Sequence, residues 1–127
     1  MQPTTIKSTS SVLHHPTAII SPGATLGANV RVGAFSIIED GAVIGDNTEI
    51  RSSVVVYSAA RIGADCIIHP GAVIGAEPQD LKFNGEPTLA FVGDRTVIRE
   101  CVTINRGTDA SGETRIGSDC LIMAYCH

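Results

Sequence analysis

Between Ile20 and Ile74 every sixth residue is aliphatic: Ile20, Leu26, Val32, Ile38, Ile44, Ile50, Val56, Ile62, Ile68 and Ile74. Two places before each of these, from Leu26 onward, stands a small or short side chain: Ala24, Val30, Ser36, Ala42, Thr48, Val54, Ala60, Cys66 and Ala72. An amphipathic helix repeats near 3.6 residues and a half-buried strand near 2. A period of six, kept without a miss over this stretch, is neither. It fits a solenoid in which each hexapeptide supplies one short strand and one corner, a parallel β-helix.

Three hexapeptides would close a triangular coil of 18 residues, and a repeat at that spacing is present. Gly27-Ala28-Asn29, Gly45-Asp46-Asn47 and Gly63-Ala64-Asp65 stand 18 apart. Gly and Asn both tolerate positive φ, so these triplets are expected to mark one recurring sharp corner. After Ile74 the next in-phase residues are Asp80 and Glu86, which a dry interior would not accept without a large desolvation cost. The pattern resumes at Val92, Ile98 and Ile104, breaks over 107–113, and resumes at Ile116 and Ile122.

With both breaks read as loops, the inward series is 20-26-32, 38-44-50, 56-62-68, 74-92-98 and 104-116-122, five coils of three strands. Gly93-Asp94-Arg95 and Gly117-Ser118-Asp119 then fall on the same corner as the three earlier triplets. Both loops, at about 76–90 and 107–113, leave between the first and second strands of consecutive coils. Loops on a rigid scaffold are where binding and catalysis concentrate. Residues 1–17 read as a lead-in and 18–127 as the β-helix domain. Strands stacked about 4.8 Å apart give five coils a height of roughly 24 Å.

Composition agrees with this reading. Aromatics are 4% of the 127 residues and Trp is absent, as suits a core of stacked aliphatics. A formal charge of −4 argues against a nucleic-acid binder, which would carry a basic stripe. No apolar run approaches a membrane-spanning length, and Met1 to Ser11 lacks the apolar centre of a secretion signal. A cytoplasmic protein is expected. Cys66, Cys120 and Cys126 fall on the small inward position and Cys101 lies one place off it, with no CxxC pair. They read as reduced core residues rather than a zinc or redox motif. The adjacent His14 and His15 lack a further ligand at metal-like spacing, so no metal site is expected.

The first loop reads Gln79-Asp80-Leu81-Lys82-Phe83-Asn84-Gly85-Glu86-Pro87-Thr88, and the returning coil reads Ile98-Arg99-Glu100-Cys101-Val102-Thr103-Ile104-Asn105-Arg106-Gly107-Thr108. Following a hexapeptide run, these two motifs resemble the cytosolic acyl-carrier-protein–UDP-N-acetylglucosamine O-acyltransferases that begin lipid A biosynthesis. The resemblance extends over roughly 12–127. It implies a left-handed parallel β-helix, a hand that periodicity does not reveal, assembled as a homotrimer with sites in clefts between subunits. It also implies transfer of a 3-hydroxyacyl chain from acyl carrier protein to the 3-hydroxyl of UDP-N-acetylglucosamine. A histidine is the implied general base, and no metal or organic cofactor is implied.

Carried over by motif, Gln79, Asp80 and Lys82 would contact the sugar nucleotide, and Met123 and His127 would line the acyl and sugar site. The residue chemistry is compatible. A lysine is a mobile point charge for phosphate, and a carboxylate accepts hydrogen bonds from sugar hydroxyls. Spacing alone would leave the loop charges as a solvated surface and His127 as a frayed end residue.

In that family the site runs His-x-x-His, and the second histidine is the base. His127 matches the first; no residue stands three places later. No catalytic residue is therefore assigned. The family's remaining coils and its C-terminal helical domain, which helps to dock the carrier, are also absent from the sequence. The apolar run 121–127 stops in mid-repeat without a cap. The chain is expected to be the front part of a longer protein, or to be covered there by a partner, and to be inactive alone. His69, two coils earlier, is not expected to substitute. Two rival readings remain. A trimeric β-helical carbonic anhydrase would need three zinc-binding histidines, whereas here only the pair 14 and 15 is close. A non-catalytic assembly or sugar-nucleotide-binding module would fit an intact scaffold without a base.

Overall fold

The computed structural model describes residues 12–77, 88–107 and 112–123. Among them every regular element is a strand, and the strands pair in parallel into three sheets. The first face stacks Ile19–Ile20, Ile37–Ile38, Val55–Val56, Val73–Ala76 and Thr103–Asn105. The second stacks Thr25–Leu26, Val43–Ile44, Ala60–Ile62, Leu89–Val92 and Glu113–Ile116. The third stacks Arg31–Val32, Glu49–Ile50, Ile67–Ile68, Val97–Ile98 and Leu121–Ile122. Register pairs Ile20 with Ile38, Ile44 with Ile62, and Ile68 with Ile98. The last pairing skips the first loop, so the five expected coils are the observed ones. The chain is thus a left-handed parallel β-helix, the exception to the right-handed rule for crossovers between parallel strands.

The lead-in is shorter than expected. Leu13–His14 already belongs to the third face, paired with Arg31–Val32, and the Leu13 and His15 amides donate to the Val30 and Val32 carbonyls at 2.9 Å. His14 stands six residues before Ile20, on the ladder itself. A polar residue there hid the extra strand from the hydrophobic pattern. It is accommodated because this edge strand leaves the imidazole only partly buried.

Inside, the ladder from Ile20 to Ile104 and the small positions beside it are closed to solvent, while Ile116 and Ile122 pack partly buried against them. Each full-sized aliphatic contributes about 1.5–3 kcal/mol when fully buried. Three small positions are polar, and each has a defined reason to be tolerated. The Ser36 hydroxyl donates to the Arg51 carbonyl (2.6 Å) and accepts from the Val54 amide (3.1 Å). The Thr48 hydroxyl donates to the Gly63 carbonyl (2.7 Å) and accepts from the Cys66 amide (3.2 Å). The Thr96 hydroxyl donates to the Gly117 carbonyl at 2.7 Å. Each hydroxyl therefore joins one coil to the next, and among the described residues no buried side-chain nitrogen or oxygen lacks a partner.

The glycine corner recurs as expected, but its glycines are there for a different reason. The left-handed residue is the third of each triplet: Asn29, Asn47, Asp65, Arg95 and Asp119, with φ between 54° and 61°. That backbone turns the amides of Asn47, Asp65, Arg95 and Asp119 onto carbonyls of the preceding coil, each at 2.8 Å. The glycine is required by close stacking. A Cβ on Gly45 would lie 2.7 Å from the Ala64 nitrogen, and one on Gly93 2.5 Å from the Ser118 nitrogen. At Gly117 the nearest atom is the Cys120 sulfur at 3.6 Å.

No helix among the described residues is long and apolar enough to cross a membrane.

Candidate functional site

Both interruptions leave from the corner between the first and second faces, and their roots are built alike. Strands that are two residues long in the regular coils, Ala60–Ile62 with three excepted, lengthen here to three or four: Val73–Ala76, Leu89–Val92, Thr103–Asn105 and Glu113–Ile116. The first root turns out at Gly75, which is buried with φ 87°. A Cβ on it would come within 3.1 Å of the Ala60 nitrogen. Register shifts at this point: Ile74 faces Ile104 and Ala76 faces Asn105. Gly75 is thus the extra residue of a bulge, the usual device for bending a strand out of its ladder.

The two roots are knitted together. The Arg106 Nε donates to the Gly75 carbonyl at 2.9 Å, and the Arg106 amide to the Ala76 carbonyl at 2.7 Å. The hydroxyl of buried Thr88 donates to the Gly107 carbonyl. The Gly107 amide donates to the Leu89 carbonyl at 3.1 Å, and the Leu89 amide to the Gly112 carbonyl at 3.2 Å. Gly107 is a close approach as well: a Cβ would overlap the backbone of Glu113, across the mouth of the second loop.

Beside the roots, the second face turns Arg61, Phe91 and Arg115 outward in one register column. Arg61 donates to the Gly41, Ser58 and Ala60 carbonyls at 2.8–3.1 Å. The Arg115 guanidinium lies 4.2 Å from the Phe91 ring centre and pairs with Glu113 at 2.7 Å. The Glu113 carboxylate raises the Arg115 pKa, so that cation is held charged. The corner thus combines loop roots hydrogen-bonded to each other with three arginines, of which Arg61 and Arg106 hold backbone carbonyls and Arg115 is paired with Glu113.

Of the expected site residues, Gln79, Asp80, Lys82 and His127 lie outside the described residues. Met123 is exposed at the open end of the last described coil, on a surface that also includes the ladder residues Ile104, Ile116 and Ile122. His14 and His15 sit on the first turn. His69 lies on the third face, 3.6 Å from Glu100. Burial depresses the His69 pKa, the nearby Arg99 adding to it and Glu100 opposing it. These three histidines do not converge, and none stands at the loop corner. Thr88, Arg106 and Gly107 were within the quoted motifs, but nothing in their spacing marked them as the residues that join the roots.

Known proteins sort with this geometry. Residues 41–76 match the family model described as bacterial transferase hexapeptide (six repeats). An acyl-[acyl-carrier-protein]–UDP-N-acetylglucosamine O-acyltransferase from Chlorobaculum parvum is 58% identical over 113 residues, 89% of this chain and 43% of that protein. The structure of a UDP-N-acetylglucosamine acyltransferase from Bacteroides fragilis superposes with a TM-score of 0.85 at 49% identity, over 87% of this chain and 43% of that one. The corresponding enzyme from Francisella novicida gives a TM-score of 0.86 at 35% identity, over 89% and 42%. The chain therefore spans less than half the length of the relatives it matches.

Proposed function

The chain is homologous to the acyl-[acyl-carrier-protein]–UDP-N-acetylglucosamine O-acyltransferases, and from that premise we propose that its loop corner binds UDP-N-acetylglucosamine for acyl transfer. The observation that carries this reading is the 58% identity over 89% of the chain with a protein bearing that activity in its name. In this role Gln79, Asp80 and Lys82 contact the sugar nucleotide, the lysine supplying a mobile charge for phosphate or for the developing charge, and Met123 and His127 line the acyl and sugar site.

The reaction is attack of the sugar 3-hydroxyl on the thioester of a 3-hydroxyacyl group carried by acyl carrier protein. The new ester C–O bond forms as the C–S bond breaks, and the hydroxyl proton passes through a base to the departing thiolate. This would be the first step of lipid A biosynthesis, carried out in the cytoplasm. His14, His15 and His69 are all away from the corner, so none of them is the base. A base commonly contributes 10²–10⁴-fold. The 127 residues alone are expected to bind the sugar nucleotide without measurable acyl transfer.

Copies are proposed to meet along the first face as a homotrimer. Its outward column is Ile19, Ile37, Val55, Val73 and Thr103, with Ile19 and Ile37 both exposed. The other two faces interrupt their columns with Arg31 and Glu49, or with Arg61 and Arg115.

The test is a titration of the 127-residue chain with UDP-N-acetylglucosamine, repeated on Lys82→Ala. Loss of one charge-assisted contact to phosphate should weaken binding about tenfold. Equal affinity in the two proteins would contradict the assignment of Lys82, and absence of binding by the parent would contradict the reading as a whole.

A further inference from the structure

Gly75 poses a local problem that Arg106 solves. As the extra residue of the bulge it falls outside the register between Val73–Ala76 and Thr103–Asn105. Its carbonyl is consequently left out of the regular ladder at a buried position. The Arg106 Nε supplies the donor at 2.9 Å. Thr88 plays the matching part at the other end of the same loop, its buried hydroxyl reaching the Gly107 carbonyl. One side chain from each loop root thus holds the backbone of the other: Arg106 grips the exit of the first loop, and Thr88 ties its return to the exit of the second.

We propose that Arg106 and Thr88 are positioning residues that brace the roots of both loops and so fix where the sugar-nucleotide contacts stand. This rests on the function proposed above for the loop corner, and it assigns neither residue to the ligand itself. The donor position matters more than the charge. Nε lies within the arginine side chain, where a lysine has only a methylene, so Arg106→Lys keeps the cation and removes the brace. At position 88, valine keeps the shape and removes the hydroxyl, and serine keeps the hydroxyl.

The experiment uses Arg106→Lys, Thr88→Val and Thr88→Ser in the 127-residue chain, with two readouts. One is the rate of tryptic cleavage after Lys82, compared with that after Arg31 and Arg51 in the regular coils. The other is affinity for UDP-N-acetylglucosamine. Arg106→Lys and Thr88→Val should speed cleavage after Lys82 roughly tenfold, as expected for easier local opening. Cleavage after Arg31 and Arg51 should not change, affinity should fall with it, and Thr88→Ser should behave like the parent. Unchanged cleavage after Lys82 in both disrupting variants would overturn the brace. So would parental affinity in Arg106→Lys despite faster cleavage. Faster cleavage in Arg106→Lys and Thr88→Val, together with a parent chain that binds no sugar nucleotide, would uphold the brace and overturn the proposed ligand instead.

Discussion

The coils from Ile20 to Ile74 and those from Ile74 to Ile122 share one inward ladder but close their corners differently. In the first region the chain passes the corner between the first and second faces in a few residues, as short turns tied to neighbouring coils. There Gly41 takes φ 90°, and the Asp40 carboxylate accepts from the Gly23 amide at 2.8 Å. In the second region the same corner is opened twice, and side chains do the closing: Arg106 on Gly75 and Thr88 on Gly107. The ladder determines the fold whether or not a corner is interrupted. The interruption determines where long segments can emerge, and its side-chain donors join one loop root to the other, whereas Arg61 in the regular coils closes short turns on the Gly41, Ser58 and Ala60 carbonyls.

This comparison can be broken at several points. The largest effect is expected from emptying the ladder. Ile44→Ala, at a fully buried position between coils, should cost about 4 kcal/mol, and Ile116→Ala, only partly buried, about 1–2 kcal/mol. Equal costs in urea unfolding would mean that the interrupted coils are packed as tightly as the regular ones. Close behind is Gly45→Ala, which forces a methyl against the Ala64 nitrogen at 2.7 Å and should cost about 3 kcal/mol. Gly117→Ala, with 3.6 Å to the nearest atom, should lie within about 0.5 kcal/mol of the parent. A similar loss at both sites would show that close stacking is not what requires glycine at this corner.

Thr48→Val removes the hydroxyl that links Gly63 and Cys66 across coils, and about 1–2 kcal/mol should follow from the unpaired carbonyl and amide. A neutral result would show that the polar rungs are dispensable to stacking. The smallest effect concerns pH. His69 has a folded-state pKa below its ordinary value because of burial, so the unfolded chain binds the proton more readily. Its contribution to stability is complete above about pH 6.5 and is lost as pH falls from there through the folded pKa. His69→Gln should therefore lose less stability than the parent between pH 8 and 5.5 in paired unfolding curves. Parallel curves would remove His69 from the account of pH dependence.

Much of the fold could be read directly because its core has one repeating physical requirement. Each coil needs an aliphatic at the strand and something small before the next, and Ile20 to Ile74 satisfy it without exception. The count survived the first loop because Asp80 and Glu86 are too polar for the vacant ladder positions. Where that signal failed, the cause is local. His14 stands on the ladder at an edge that tolerates a polar ring, so the strand Leu13–His14 was taken into the lead-in. The corner glycines were assigned to positive φ, yet that backbone falls on Asn29, Asn47, Asp65, Arg95 and Asp119. Close approach between coils depends on three-dimensional stacking and leaves no periodic mark distinct from a turn. The site divided in the same way. Loop placement followed from counting, whereas Arg106 and Thr88 act through a bulge at Gly75 that no spacing announces. Gln79, Asp80, Lys82 and His127 remain assignments by resemblance.

The central claim is that the regular coils are scaffold and the interrupted corner is where ligand binds. Hydrogen–deuterium exchange of the 127-residue chain, with and without saturating UDP-N-acetylglucosamine, tests it most directly. Added protection should be confined to the loop roots, at residues 75–76, 88–89 and 105–107, and to the segments between them, with exchange across residues 20–68 unchanged. Protection centred on the regular coils, or none anywhere at saturating sugar nucleotide, would contradict it.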